Sequence, residues 1–132
     1  MSMDWLPTFV AAAGGSTDPA YPSDGHDIRP ALNGLKLPQR DLYWRYKMHS
    51  QKALRRGRWK YLEVAGNAFL FDVIADPLER ANLKDRQPVI FSEMKTSWNN
   101  WNSRMLPLDP ESATHGFTGE FMADHIGVKP DL

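Results

Sequence analysis

The chain has 132 residues, enough for one small domain with appendages. A hydrophobic fraction of 42% and a charged fraction of 24% are those of a folded protein and exclude wholesale disorder. Sixteen basic and sixteen acidic residues cancel, which argues against a dedicated nucleic-acid domain, and the lack of cysteine removes disulfides, thiolate metal sites and a cysteine nucleophile.

Taken in chain order, "MDWLPTFVAAAGG" predicts a short helix. Asp4 is placed to cap it, Pro7 is tolerable in the first turn, and Gly14-Gly15 stops it. Trp5, Leu6, Phe9, Val10 and Ala13 fall on one apolar face, which such a short helix must pack against something to persist. The run from Phe9 to Ala13 is too short for a signal peptide and lacks a basic flank. Nothing approaches the eighteen apolar residues of a membrane span. Residues 16 to 40 hold four prolines and little periodicity; Asp24-Gly25 predicts a turn and "RPALNG" a single helical turn.

The middle predicts strands. "DLYWRYKM" alternates Leu42, Trp44 and Tyr46 with Tyr43, Arg45 and Lys47, and the first set is the expected core face. "QKALR" and "RWKYLEV" flank a turn at Arg56-Gly57; "RWKYLEV" and "AFLFDV" flank another at Gly66-Asn67. Asp76-Pro77 then starts a turn that lets Leu78 and Leu83 tuck back. A helix opens near Pro88 with the stripe Ile90, Met94, Trp98, Trp101 and Met105, and Pro107 ends it. The expected fold class is α+β: an antiparallel sheet of about four strands, a long helix on one face, an N-terminal short helix and loop-rich flanks. The expected division is a helix and loop over 1–40, a sheet-plus-helix subdomain over 41–107, and an irregular tail over 108–132. One further helical turn is expected at Phe121-Met122-Ala123.

Candidate sites are few. Lys36, Arg40, Arg45, Lys47, Lys52, Arg55, Arg56, Arg58 and Lys60 form a basic region with interleaved aromatics. A single-strand nucleic-acid sheet uses that combination, but the outward cations of a half-buried sheet give it too, and the aromatic signature of an RNA-binding sheet is absent. Asp24, His26 and Asp27 lie together in "SDGHD", which is better read as a turn than as a metal site. His49, His115 and His125 are scattered, with no nucleophile motif beside them.

Four segments, in order, resemble the carboxy-terminal part of sulfatases in the alkaline-phosphatase-like superfamily. "MDWLPTFVAAAG" is similar to the family's D-[ILVW]-L-P-T helix, and "DGHDIRPALNG" to its D-G-x-x-[IL]-x-P-x-L-x-G segment. "LYWRYKMHSQKALRRGRWKYL" and "FLFDVIADPLERANL" resemble its Q-[RK]-A-[VL]-R-x-G-x-W-K and D-P-x-E-x-x-N-L stretches. The set runs from about residue 3 to about residue 106.

The resemblance implies an antiparallel subdomain carrying a helix, with residues 1–40 packing on a catalytic domain. It also implies a calcium ion and a formylglycine made from Cys or Ser in a [CS]-x-P-x-R motif. That motif, the calcium ligands and the sulfate-holding Lys and His are not found in these residues, so no catalytic or metal residue carries over. The chain alone is therefore expected to be inactive and to bind no cofactor. Its expected partner is the catalytic domain, or a second copy met through exposed apolar surface; no membrane is expected. Lys47 and His49 sit in the turn before "QKALR", which in the family borders the substrate cleft, and are the candidate substrate-rim residues. An autonomous binding or scaffold module of the same fold is the alternative, with a single-strand nucleic-acid binder behind it. The compartment is left open; the family is often periplasmic or secreted.

Overall fold

The structure, a computed structural model, describes residues 1–108. The turn expected at Phe121–Ala123, and His115 and His125, lie outside the described residues. The chain forms two compact units, Met1–Gln39 and a second that begins at Arg40.

In the first unit, α1 spans Trp5–Ala12 after a 3-10 turn at Ser2–Asp4, and α2 is the single turn Arg29–Leu32. Asp4 occupies the N-cap position of α1 but makes no side-chain capping bond. Its carboxylate instead accepts from the backbone N–H of His26 at 2.9 Å. Buried Thr8 completes the fastening: its hydroxyl donates to the Asp4 carbonyl at 2.6 Å and accepts from the N–H of Ile28 at 3.1 Å. Gly25 lies so close to α1's entry that an added Cβ would stand 1.9 Å from the Met3 carbonyl oxygen. Arg29 binds Asp27 and reaches the Ala11 carbonyl at 2.7 Å, near the C-terminal end of α1, where a cation is favoured. The first two sequence segments are thus one structural lock, with Asp4 and Thr8 of the helix holding the backbone of the loop. Trp5, Leu6 and Phe9 remain exposed, the first and last stacked at 5.5 Å.

The second unit is a meander in which β1 (Asp41–Tyr46), β2 (Gln51–Arg56), β3 (Trp59–Val64) and β4 (Asn67–Asp72) pair antiparallel in sequence order. The hairpin loops are Gly57-Arg58 and Ala65-Gly66, one residue off the expected turn positions. Ala65 and Gly66 have φ of 50° and 79°, the paired positive values that a tight, right-twisting hairpin requires. Pro88–Asn102 form α3, which packs on one face of the sheet. Register puts Tyr43, Leu54, Tyr61 and Leu70 side by side under the helix, where Met94 and Trp98 close the core. Tyr43 stacks on Trp101 at 4.9 Å.

Three expectations are corrected. The helix covers the Tyr43 face, not the Trp44 face; Trp44 points to the other side and is 41% exposed. Alternation fixes which residues share a face, but β1 carries large apolar groups on both faces, so it cannot say which one a helix will cover. Leu83 tucks back, its N–H donating to the Leu70 carbonyl at 2.8 Å, whereas Leu78 is exposed. The helix ends at Asn102, so Met105 lies beyond it.

Candidate functional site

The basic region is not a row of solvated cations. Lys52 pairs with Glu63, Arg56 with Asp41, Arg58 with Asp72, and Lys60 with Glu79. Arg56 also donates to Ser97 of α3 at 2.9 Å, so one cation ties sheet edge to helix. Three cations of "RRGRWK" are thus paired with carboxylates of β1, of β4 and of the segment that follows β4.

Titration of these pairs follows from their surroundings. Asp41 is held below its ordinary value of 3.8, chiefly by the hydrogen bond from Arg56. Burial pushes Glu63 up, but hydrogen bonds from Lys52 and from the Tyr61 hydroxyl outweigh it and leave Glu63 below 4.5. Burial, then the Glu63 carboxylate, push the Tyr61 phenol up, so it stays a donor. Carboxyls depressed in the folded state stabilise it above their unfolded values, and that contribution is lost as pH falls through the folded ones. The sheet unit should therefore lose thermal stability on acidification from about pH 5 toward pH 2. Circular-dichroism melts would show a falling Tm, and Glu63→Gln should flatten part of the slope; an unchanged Tm across that range would contradict the assignment.

The candidate turn joins β1 to β2. Met48–Ser50 form a 3-10 turn in which His49 has φ 53° and ψ 23°, and Ser50 has φ 49°. Two successive non-glycine residues in the left-handed region cost about 1–3 kcal/mol each, a strain that clusters at functional turns. The turn is pinned by Ser50 N–H donating to the Lys47 carbonyl at 3.1 Å. A second pin comes from the neighbouring hairpin, whose Ala65 N–H donates to the His49 carbonyl at 2.7 Å. This leaves the His49 side chain exposed, while Lys47 is half-buried.

Beside the turn, between the β1–β2 end of the sheet and the C-terminal half of α3, lies an open groove of about 870 Å³. Lys47 lines it; His49 does not. Arg45 and Lys52, named above only as members of the basic region, also line it, and Asn99 and Asn102 are lining residues that sequence reading missed. Arg45 and Lys52 are directly opposite across the β1–β2 ladder, which any correct pairing of the two predicted strands would have shown. The asparagines come from α3 and carry no short-range signal. Among the described residues no group of three or more metal-ligating side chains occurs, and no helix is long and apolar enough to cross a membrane.

No protein-family model matches the chain. It is 35% identical over 96 residues to the choline-sulfatase of Rhizobium meliloti (strain 1021), which covers 67% of this chain and 19% of that protein. The solved structure of BT1596, a 2-O GAG sulfatase, superposes with a TM-score of 0.58 at 26% identity, over 76% of this chain and 24% of that one. The chain is homologous to sulfatases. A further likeness, TM-score 0.63 at 25% identity over 74% of this chain and 23% of the other, is to Ps i-CgsB, also solved in complex with k-i-k-neocarrahexaose. The chain thus spans about a fifth of the choline-sulfatase and about a quarter of the solved structures it matches. The sulfatase resemblance accounts for the ordered motifs of both units, since the D-x-L-P-T helix and the D-G-x-x-[IL] loop fasten one another and the R-x-G-x-W-K stretch is the central hairpin.

Proposed function

We propose that this chain is the carboxy-terminal region of a sulfatase, bordering the substrate cleft of an enzyme whose chemistry resides in a catalytic domain outside these residues. The reaction is hydrolysis of a sulfate ester, with formylglycine as nucleophile and calcium beside it, both supplied by that domain. Lys47 and His49 form part of the cleft's rim and meet the anionic or sugar portion of the substrate. A sulfated saccharide is the substrate class best matched by the solved relatives, one a 2-O GAG sulfatase and one solved in complex with k-i-k-neocarrahexaose.

The observation that carries this reading is homology over two-thirds to three-quarters of the chain to proteins of which the matched part makes up only about a fifth to a quarter. The exposed apolar face of Trp5, Leu6 and Phe9 supports it, because such a face marks a surface that another domain covers. The strained His49–Ser50 turn supports the rim assignment, since the strain is maintained by a dedicated hydrogen bond from Ala65.

A sulfate-release assay on the pure chain with an aryl sulfate should show no turnover, with or without calcium. Nothing in these residues supplies an activated nucleophile or a metal to stabilise the departing oxygen. Calcium-dependent release of sulfate by the chain alone would overturn the reading.

A further inference from the structure

We propose that Asn82 is an edge plug: its side chain, followed by the Leu83 backbone, takes the strand-pairing groups of β4 and keeps the sheet from extending into a second copy of this chain. The plug is independent of the sulfatase reading above.

β4 is the last strand of the sheet, so every second residue turns its N–H and C=O away from β3. The two-residue loop Ala65-Gly66 makes Val64 and Asn67 the closing hydrogen-bonded pair, and alternation then turns Ala68, Leu70 and Asp72 outward. One segment meets all three. Leu70 donates its N–H to Asn82 Oδ1 at 3.1 Å, and its carbonyl accepts from the Leu83 N–H at 2.8 Å. Asn82 Nδ2 donates to the Ala68 carbonyl at 3.4 Å, and the Asp76 N–H donates to the Asp72 carbonyl at 2.8 Å. An asparagine amide offers the donor and the acceptor of a peptide group on one short side chain. Asn82 and Leu83 thereby stand in for a further strand without being one.

The segment is built to stay in place. Leu83 packs against the core, and Asn82 Oδ1 also accepts from the Lys84 N–H at 3.1 Å, which fixes the orientation of the amide. Upstream, the Asp76 carboxylate accepts from the Ala81 N–H at 2.8 Å. Glu79, with φ 54°, is gripped by Lys60 Nζ at 2.8 and 2.7 Å. A non-glycine residue in the left-handed region persists only where its surroundings hold it there.

What the plug hides is a strand suited to pairing with itself. Asn67–Phe71 carry no charge and no proline and set Phe69, Leu70 and Phe71 in succession. Edges of that composition recruit other chains unless they are covered. Two copies of β4 related by a twofold axis at Leu70 would exchange the same N–H and C=O that Asn82 and Leu83 now occupy, a closed and self-complementary contact. A second copy is therefore the partner that an opened edge takes.

The test compares the parent chain with Asn82→Ala, Asn82→Asp and Lys60→Gln by amide hydrogen exchange and by sedimentation velocity over a wide range of concentration. Asn82 is exposed, so Asn82→Ala frees the edge without opening the core. In dilute solution its Leu70 amide should exchange at least about tenfold faster than in the parent. On concentration it should sediment as a dimer, and the Leu70 amide should regain protection. Asn82→Asp keeps the acceptor for Leu70 and adds a charge at the edge, so it should associate no more than the parent. Association through the exposed apolar residues of α1 is common to all four proteins and is the baseline. Should Asn82→Ala lose the near-ultraviolet circular dichroism of the core, Lys60→Gln decides. It frees Glu79 and should speed Leu70 exchange by about threefold, with association above the baseline. Unchanged Leu70 exchange in the deciding variant, association no stronger than the parent's, or association that leaves Leu70 unprotected would overturn the proposal. So would an Asn82→Asp chain that associates as the alanine variant does.

Discussion

Replacing Gly25 with alanine should unfasten the first unit. The new Cβ would lie 1.9 Å from the Met3 carbonyl oxygen and 2.5 Å from its carbon, with the Asp4 Cα at 3.0 Å. These are backbone atoms at the entry of α1, so no side-chain rotation can relieve the clash. Gly25 has no positive φ, so the effect is purely one of space. Separating the loop from α1 by the required distance breaks the bonds from His26 to Asp4 and from Ile28 to Thr8 together. The cost is about 3 kcal/mol, the upper end for overpacking. A unit of this size has little reserve against such a loss. Native-state hydrogen exchange should show protection lost in Trp5–Ala12 and at the amides of His26 and Ile28, with the amides of β2 and β3 as the internal reference. Thr8→Val, which keeps the shape and removes both hydroxyl bonds, should give the same pattern more weakly. Unchanged exchange in α1 of Gly25→Ala would mean that the loop does not rest on the helix.

That fastening marks the boundary of what the sequence made legible. The helix of the first unit was visible from its apolar spacing and glycine stop, and Asp4 was visible as a capping type. Its real partner is an amide 22 residues away, and no local pattern announces a contact of that range. The same holds for the basic region, where alternation predicted outward cations. Their carboxylates lie 11 to 19 residues away along the chain, so the pairing emerges only once register brings them together. The long helix was legible because Ile90, Met94, Trp98 and Trp101 repeat at helical spacing over about three turns, a signal that tertiary context seldom overrides. Tyr43 and Trp44 show the limit of period-two reading. Both are large aromatics in one strand, and only the position of α3 decides that Tyr43 is packed and Trp44 half-open. Of the site, the turn with Lys47 and His49 was found through family resemblance, but the groove was not, because it joins a strand end to the far end of α3.

The second large effect concerns activity. If these residues are the carboxy-terminal region of a sulfatase, they should replace the matching segment of a relative. A hybrid would carry the Rhizobium meliloti choline-sulfatase with its matched segment exchanged for the corresponding residues of this chain, which are 35% identical to it. The fastened Asp4–Thr8–Gly25 lock and the sheet core would fold as they do here, and the exposed Trp5, Leu6 and Phe9 would find the surface they lack. On the proposed reading the catalytic groups belong to the host portion and the exchanged residues meet the substrate only at the rim, so kcat should be affected less than KM. Within the hybrid, Lys47→Gln should raise KM for an anionic substrate by up to about tenfold and leave the fold intact.

Sulfate release by that hybrid, measured on soluble protein whose folding has been verified by circular dichroism and gel filtration, tests the central claim most directly. The account predicts a monodisperse protein that retains sulfatase turnover, with a KM shifted from the host's. A hybrid that is folded and monodisperse yet releases no sulfate would contradict it.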